Sequence, residues 1–445
     1  MLYDLNEKHK YYSLYKRIRQ DVLSGKLKWG DKLPSKRALA QELSVSVITV
    51  QTAYEQLLAE GYVIAKERSG YFVAKVNVGP SAAEQALPEK KTDSKRSYKL
   101  DLVKGSAPAN MFPFSVWAKL MRGVLSDCGE HLLERVPCDG DYELKSAICA
   151  YLYRARGIQT CPEYVIIGAG AEYLYGVIVQ LLGRDNTFAV ENPGYEKIAS
   201  SYRLNGAKCT FVSVKNNGVD FNEVVNSNAN VLHISPSHQF PTGAVTPAES
   251  RAELIAWAQA GRYIVEDDYD SEFRLSGKPL QCMQSLCPER VIYMNTFSKT
   301  LAPSMRMGYM VLPPKLYKKY MQIFGHSASV VPLFEQKTLA KFISEGYFER
   351  HINRLKNHYK GVRANLINLI EKRFSGVQIR DTGSGLHFTV TAKNAGSDEQ
   401  IKKQAELVGV RIKCLSDYLQ VPISGYSNTA VINYSGVTEE QLKNI

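Results

Sequence analysis

Residues 295–309, NTFSKTLAPSMRMGY, hold the sharpest chemical pattern in the chain. Lys299 follows a small hydroxyl residue in a turn leaving a strand-like run, and Arg306 stands seven residues on. A lysine so placed suits Schiff-base condensation with an aldehyde, and the arginine suits bidentate binding of a nearby phosphate. Alone, the Ser-Lys pair is weak, and a surface lysine in a loop reads it better. Three other segments change that balance. VEDDYDSEFR, residues 265–274, ends a strand-like run with Asp267 and Tyr269. An aspartate facing a pyridine nitrogen keeps it protonated, which makes the ring an electron sink. A tyrosine hydroxyl beside it can bond a phenolic oxygen on the same ring. The acidic run would also suit a metal or a solvated loop, but no other ligand cluster supports a metal. GAGAEYLYGV, residues 168–177, is a Gly-rich turn entering a helix, where the N–H groups of Gly170 and Ala171 can hold a phosphate. It lacks a full GxGxxG, which rejects a dinucleotide site. ENPGYEK, residues 191–197, sets Tyr195 on a loop where it can stack on a planar ring.

A second constellation lies near the N-terminus. Apolar residues at helical spacing predict a helix over 11–24, a second opened by Ser35 as N-cap, and a third from Val47 to about Glu60 capped by Ser46. Gly61 stops the third. YVIAKE and GYFVAKV then flank Arg68-Ser69-Gly70 as a short hairpin. Three helices and a two-stranded wing make a winged helix-turn-helix, whose last helix enters the major groove. Its exposed start offers Thr49, Gln51 and Thr52 to base edges. Lys36 and Arg37 are placed for phosphates, and Gly70 lets the wing backbone approach a duplex. The alternative is a winged helix used only for protein docking.

The elements between these sites follow from length and pattern. The 445 residues are 44% hydrophobic and 22% charged, an ordinary globular balance that predicts two or three domains. No apolar run approaches a membrane helix, and the charged start lacks a signal-peptide core, so a cytoplasmic protein is expected. Eight scattered cysteines without a CxxC pair read as reduced thiols. The net charge of +12 is concentrated early, with 13 Lys/Arg against 8 Asp/Glu in residues 1–77, which suggests an anionic partner. Residues 77–99 are polar and without period, and read as a flexible linker spanning about 25–30 Å. From residue 100 to 445, β-branched runs (YVIIGA, TFAVE, CTFVSV, VLHIS, YIVEDD, RVIYMNT) alternate with helical stretches such as 170–182 and 248–259. That predicts an α/β body with a mostly parallel sheet. Long helices over 333–374, then strands around 377–391 and 429–435, predict a smaller α+β lobe.

Residues 11–76 resemble the winged helix-turn-helix of GntR-type bacterial regulators. The resemblance gives Arg37, Thr49, Gln51 and Gly70 the DNA-contact positions. It departs at Val47, where the family usually has an arginine. The segments around Tyr195, HQFPTG, Asp267 and Lys299 resemble fold-type I pyridoxal phosphate enzymes of the class I aminotransferase group. Head and body together resemble the MocR/GabR-type regulators over nearly the whole chain. That resemblance implies a Schiff base from Lys299 to pyridoxal 5'-phosphate. It pairs Asp267 with the pyridine nitrogen and Tyr269 with the phenolic oxygen, and stacks Tyr195 on the ring. It gives the phosphate to Thr296, Ser298, Arg306, Gly170 and Ala171. Two departures bear on activity. Phe240 stands where aminotransferases have an asparagine on the phenolic oxygen, and Val431 aligns with their carboxylate-binding arginine. The resemblance therefore implies a homodimeric regulator, binding a double-stranded operator and sensing an amine, an amino-acid-like effector or pyridoxal phosphate itself. The alternative is an active aminotransferase with an accessory DNA-binding head.

Overall fold

The computed structural model describes residues 10–76, 98–103, 105–275, 281–393 and 396–443. The chain forms two compact units, Met1–Arg96 and Ser97–Ile445. Of the linker expected over 77–99, all but Tyr98 and Lys99 lies outside the described residues.

In the first unit, helices α1 (Lys10–Leu23), α2 (Lys36–Glu42) and α3 (Val47–Ala59) precede a hairpin of β1 (Val63–Lys66) and β2 (Gly70–Val73). The caps are those expected. Ser35 Oγ accepts from Ala38 N at 3.2 Å, and Ser46 Oγ from Thr49 N at 3.1 Å. Gly61, with φ of +74°, ends α3 in a conformation that favours glycine. Leu14, Ile18, Leu39, Val50, Tyr54 and Leu57 are fully buried between the three helices. Each such side chain contributes about 1.5–3 kcal/mol. The Tyr54 hydroxyl avoids an unmet bond by donating to Pro34 O at 3.0 Å.

The second unit is built on an eight-stranded sheet. Its order is Val165–Gly168, Gly308–Val311, Val291–Thr296, Tyr263–Asp267, Val231–Ile234, Thr187–Asn192, Lys208–Lys215 and Gly218–Val219. Only Gly308–Val311 and the terminal Gly218–Val219 run against the others. Neighbouring residues on a strand serve opposite faces. Val231, Val265 and Ile292 join the apolar cluster that includes Leu174 and Ile178 of helix Ala171–Leu182. Leu232, Ile264 and Val291 join the one that includes Leu254 and Trp257 of helix Ala248–Gln259. The sheet is thus buried on both faces, which explains its near-continuous apolar strands. A four-stranded antiparallel sheet forms the smaller lobe, pairing His387 with Asn433 and Thr389 with Val431. Among the described residues no helix is long and apolar enough to cross a membrane. All eight cysteines are free.

Burial on both faces constrains the acidic run at the end of Tyr263–Asp267. Asp268 is 1% exposed. Arg156 Nε meets its Oδ2 at 2.8 Å, Arg156 Nη2 donates to Oδ1 at 3.2 Å, and the Tyr293 hydroxyl donates to Oδ2 at 2.7 Å. This buried ion pair fixes the backbone beside Asp267. Arg156→Ala strands a buried carboxylate and is expected to destabilise the body by about 3–5 kcal/mol. A shift in the denaturant midpoint of the full chain measures it; an unchanged midpoint contradicts the account.

Candidate functional site

The residues singled out by the sequence cluster at the carboxyl ends of neighbouring strands, where ligands of open α/β sheets bind. Asp267 closes Tyr263–Asp267, the turn to Lys299 leaves Val291–Thr296, and the turn to Gly170 leaves Val165–Gly168. The first two strands are direct parallel neighbours, with Met294 paired to Asp267.

Lys299 is partly buried, and its Nζ donates to the carbonyl of Gly105 at 2.6 Å. Loss of water pulls the amine below the ordinary lysine range, while the Asp270 carboxylate works the other way. An amine so shifted reaches its uncharged, nucleophilic form more readily. A side chain at Gly105 would displace the end of Lys299. A Cβ there would lie 2.5 Å from Lys299 Nζ and 3.0 Å from Asn433 Nδ2.

Asp267 is 5% exposed. Its Oδ2 accepts from the Tyr175 hydroxyl at 2.8 Å, and His233 Nε2 faces the same oxygen from 3.4 Å. Tyr202 lies 2.6 Å from His233 Nδ1. Burial holds the Tyr202 phenol far above its usual range. Among the described residues, Oδ1 of Asp267 has no hydrogen-bond partner. A buried carboxylate oxygen left bare calls for an N–H donor.

The phosphate end is formed by a turn and a guanidinium. Gly170 caps helix Ala171–Leu182 with φ of +89°, and a Cβ there would meet Arg306 Nη2 at 3.0 Å. Arg306 itself has φ of +46°, and its Nη2 donates to Ala169 O at 3.3 Å. Thr296 is buried and Ser298 partly buried in the turn before Lys299. Glu172, in the first turn of that helix, sits 3.9 Å from Arg306 and 2.9 Å from Lys197, so an anion there shares Arg306 with it. The bare Asp267 oxygen, the shifted amine and the guanidinium over a helix N-terminus fit pyridoxal phosphate.

Sequence reasoning missed much of the wall. Tyr195 is 45% exposed and stands edge-on to Phe240 at 6.3 Å. Phe240 also packs edge-on against Tyr418 and His387. His387 lies ring to ring with His238 at 4.2 Å. His238 Nδ1 meets Asp270 Oδ2 at 3.0 Å and the Tyr269 hydroxyl at 3.4 Å. Burial, then the neighbouring His238 and Lys299, keep His387 neutral, far below the usual histidine range. No metal cluster was expected, yet His238, Asp270 and His387 bring three possible ligand atoms within 4.8 Å. The one sequence signal was a histidine in HQFPTG and another in GLHF. Val431 is 1% exposed on the lobe strand that also carries Asn433.

In the first unit, α3 presents its expected residues unevenly. Thr52 is exposed and Gln51 and Thr49 half-buried. Gln51 Nε2 donates to Glu55 at 2.8 Å, and Lys36 Nζ donates to Gln51 Oε1 at 3.4 Å. Thr49 Oγ1 lies 2.8 Å from Ser46 Oγ, and the Thr52 hydroxyl donates to Ile48 O at 3.0 Å. Arg37 is exposed at the start of α2, and Gly70, with φ of +104°, opens β2 at the wing tip.

Residues 10–73 match the family of bacterial regulatory proteins, gntR family, and residues 108–445 match aminotransferase class I and II. The chain is similar to an uncharacterized HTH-type transcriptional regulator, YdeL, of Bacillus subtilis (strain 168). The two are 34% identical over 97% of this chain and 94% of that protein. It is 31% identical to the probable rhizopine catabolism regulatory protein MocR of Rhizobium meliloti, over 97% and 91%. It is 29% identical to the pyridoxine biosynthesis regulator PdxR of Corynebacterium glutamicum, over 97% and 93%. Among solved structures, the α-aminoadipate aminotransferase LysN of Thermus thermophilus aligns at TM-score 0.66 and 22% identity. The alignment covers 78% of this chain and 89% of that one, a likeness of fold.

The opposing influences on Lys299 give a signed expectation. Its amine titrates below an ordinary lysine, and Asp270→Asn, which removes the carboxylate raising it, moves it lower still. Capture of Lys299 by an aldehyde with borohydride reduction, followed against pH by peptide mapping, reads both values. An upward move in Asp270→Asn contradicts the assignment.

Proposed function

Because the chain belongs to the MocR-type transcriptional regulators, with a gntR-type head and an aminotransferase class I and II body, we propose that its body binds pyridoxal phosphate at Lys299 and senses an amine-type effector there or the cofactor itself. The effector then changes how paired heads hold operator DNA. The observation that carries this reading is the buried Asp267, with one oxygen held by Tyr175 and the other bare, beside the strand that leads to Lys299. When bound, the cofactor supplies an aldehyde for amines to condense with and a protonated ring that accepts electrons.

In this reading, Asp267 Oδ1 accepts the ring N–H. Tyr269, whose hydroxyl burial keeps protonated, donates to the phenolic oxygen. Arg306, with the N–H groups of Gly170 and Ala171 and the hydroxyls of Thr296 and Ser298, holds the phosphate. Tyr195 covers one face of the ring. Lys299, whose amine is held by Gly105 O, would be the residue to engage the aldehyde.

Phe240 and Val431 leave the phenolic oxygen without an amide donor and an α-carboxylate without a guanidinium. Both losses favour sensing over rapid turnover. Intact Lys299 and Asp267 keep an aminotransferase as the second reading; rapid multiple turnover with a common amino acid would establish it. The proposal extends to a cytoplasmic homodimer, whose two heads meet two operator half-sites. Lys36 and Arg37 lie on the phosphates, Thr49, Gln51 and Thr52 face the groove, and Gly70 brings the wing close.

Two outcomes are expected. After reconstitution with pyridoxal phosphate and borohydride reduction, the adduct maps to Lys299; an adduct elsewhere, or none, removes the cofactor reading. Arg37→Ala weakens binding to every duplex alike and lowers the slope of log affinity against log salt by about 0.9. A sequence-dependent loss would instead make Arg37 a base reader.

A further inference from the structure

The groove-facing side of α3 has its polar groups tied and its methyl groups bare. Gln51 is held at both ends of its amide, by Lys36 and Glu55. The Thr52 hydroxyl is turned back to the carbonyl of Ile48, and Thr49 Oγ1 pairs with Ser46. Against this, Ile48 is 75% exposed and Val47 is 42% exposed in the first turn of the helix. Ile48 and Thr52 are four residues apart and so share one face. With its hydroxyl committed, Thr52 adds its methyl to that face.

An isoleucine so exposed gains nothing for the fold, since the core of this unit is filled by Val50, Ala53, Tyr54 and Leu57 from the opposite side of α3. Val47 and Ile48 are both β-branched, with χ1 nearly fixed in a helix, so little side-chain freedom is lost when they meet a surface. The neighbouring elements are cationic: Lys36 and Arg37 open α2, with Lys36 reaching Gln51 of α3, and Lys66 and Arg68 belong to the wing hairpin. An apolar knob framed by cations matches a polyanion with an apolar group between its phosphates. In the major groove only one base edge offers that group, the 5-methyl of thymine.

We propose that Val47 and Ile48, with the methyl of Thr52, form a methyl-reading face that selects thymines in the operator half-site. Direct readout at this end of α3 is then van der Waals contact in place of a hydrogen-bonded guanine. This rests on the head binding DNA, and it assigns the specificity to methyl groups in place of free polar ones.

The test uses the full chain. Duplexes are selected from a random library, and each thymine of the selected half-site is replaced in turn by uracil, which keeps every hydrogen-bonding edge and lacks the methyl. Anisotropy titrations at fixed salt should show one or two positions where the swap weakens binding about fourfold per methyl. Ile48→Ala should weaken binding to the thymine duplex and leave that to the uracil duplex unchanged, erasing the discrimination with no change in salt slope. Ile48 is exposed, so the variant folds. Indifference to uracil at every position overturns the proposal. So does an Ile48→Ala that weakens both duplexes equally, or that changes only the protein's self-association, as a docking face would. A chain that selects no duplex and shows no salt-dependent binding removes the DNA-binding reading as well, an outcome distinct from selection without thymine discrimination.

Discussion

The body is organised around one constraint: five carboxylates within seven residues, Glu266 to Glu272, stand in or beside a sheet that is dry on both faces. A buried charge is tolerated only when paired and hydrogen-bonded. Each acid therefore recruits its own partner. Glu266 accepts from the backbone N–H groups of Met283 and Gln284 at 3.0 and 2.9 Å. Asp268 takes Arg156 and Tyr293. Asp270 takes His238 and the N–H of Leu386. Glu272 accepts from Asn295 at 3.0 Å, and burial pushes its carboxyl up to about 7. Asp267 keeps one oxygen without a donor. Glu272 Oε2 is likewise without a donor among the described residues. The paired acids hold the strand end, and the bare Asp267 oxygen, on the strand beside the one that leads to Lys299, is open to a ligand's donor.

How much of this the sequence carried depends on the range of each interaction. Caps act over three residues, so Ser35 and Ser46 are legible, as is the glycine after α3. β-branched runs report two-sided burial, so the parallel strands are legible too. Lys299, Asp267, Gly170 and Arg306 announce themselves by local spacing. Their partners do not. Gly105 and Lys299 are 194 residues apart, and Tyr175 and Asp267 are 92 apart. His233 had a faint signal, as the lone polar residue of an otherwise apolar strand, Val231–Ile234. Asn433 and His387 meet only through the register of the lobe sheet. Exposure on α3 was legible by period, but not which polar groups would be spent inside the helix. That depends on rotamers, and it moves attention from Gln51 to Ile48.

The two departures from an aminotransferase pattern are physically different events. At Phe240 a polar contact is exchanged for an aromatic cluster with Tyr195, His387 and Tyr418, so the wall stays packed while a donor is lost. At Val431 the side chain is buried, and no cation replaces the missing one on that strand, whose other inner residue near Lys299 is the neutral Asn433. In the proposed reading, the pocket would keep the groups that hold a ring and lack those that grip an acid. Neutral His387 fits the same trend, since an uncharged imidazole adds no counter-ion for a carboxylate.

The site is also tied to the stretch of chain by which the body begins. Leu100–Asp101 pairs in parallel with Val410–Arg411, Asn433 N donates to Leu102 O at 3.1 Å, and Gly105 O takes the Lys299 amine. Lys99 N and Leu102 N also donate to Gly409 O and Arg411 O, at 2.8 and 2.9 Å, and to these attachments the reactive amine adds one more. Whatever engages Lys299 competes with Gly105 for the same nitrogen, and a Cβ at Gly105 would be driven into it. Occupancy of the amine and the hold on this segment are therefore linked by covalent geometry, whichever ligand the pocket receives.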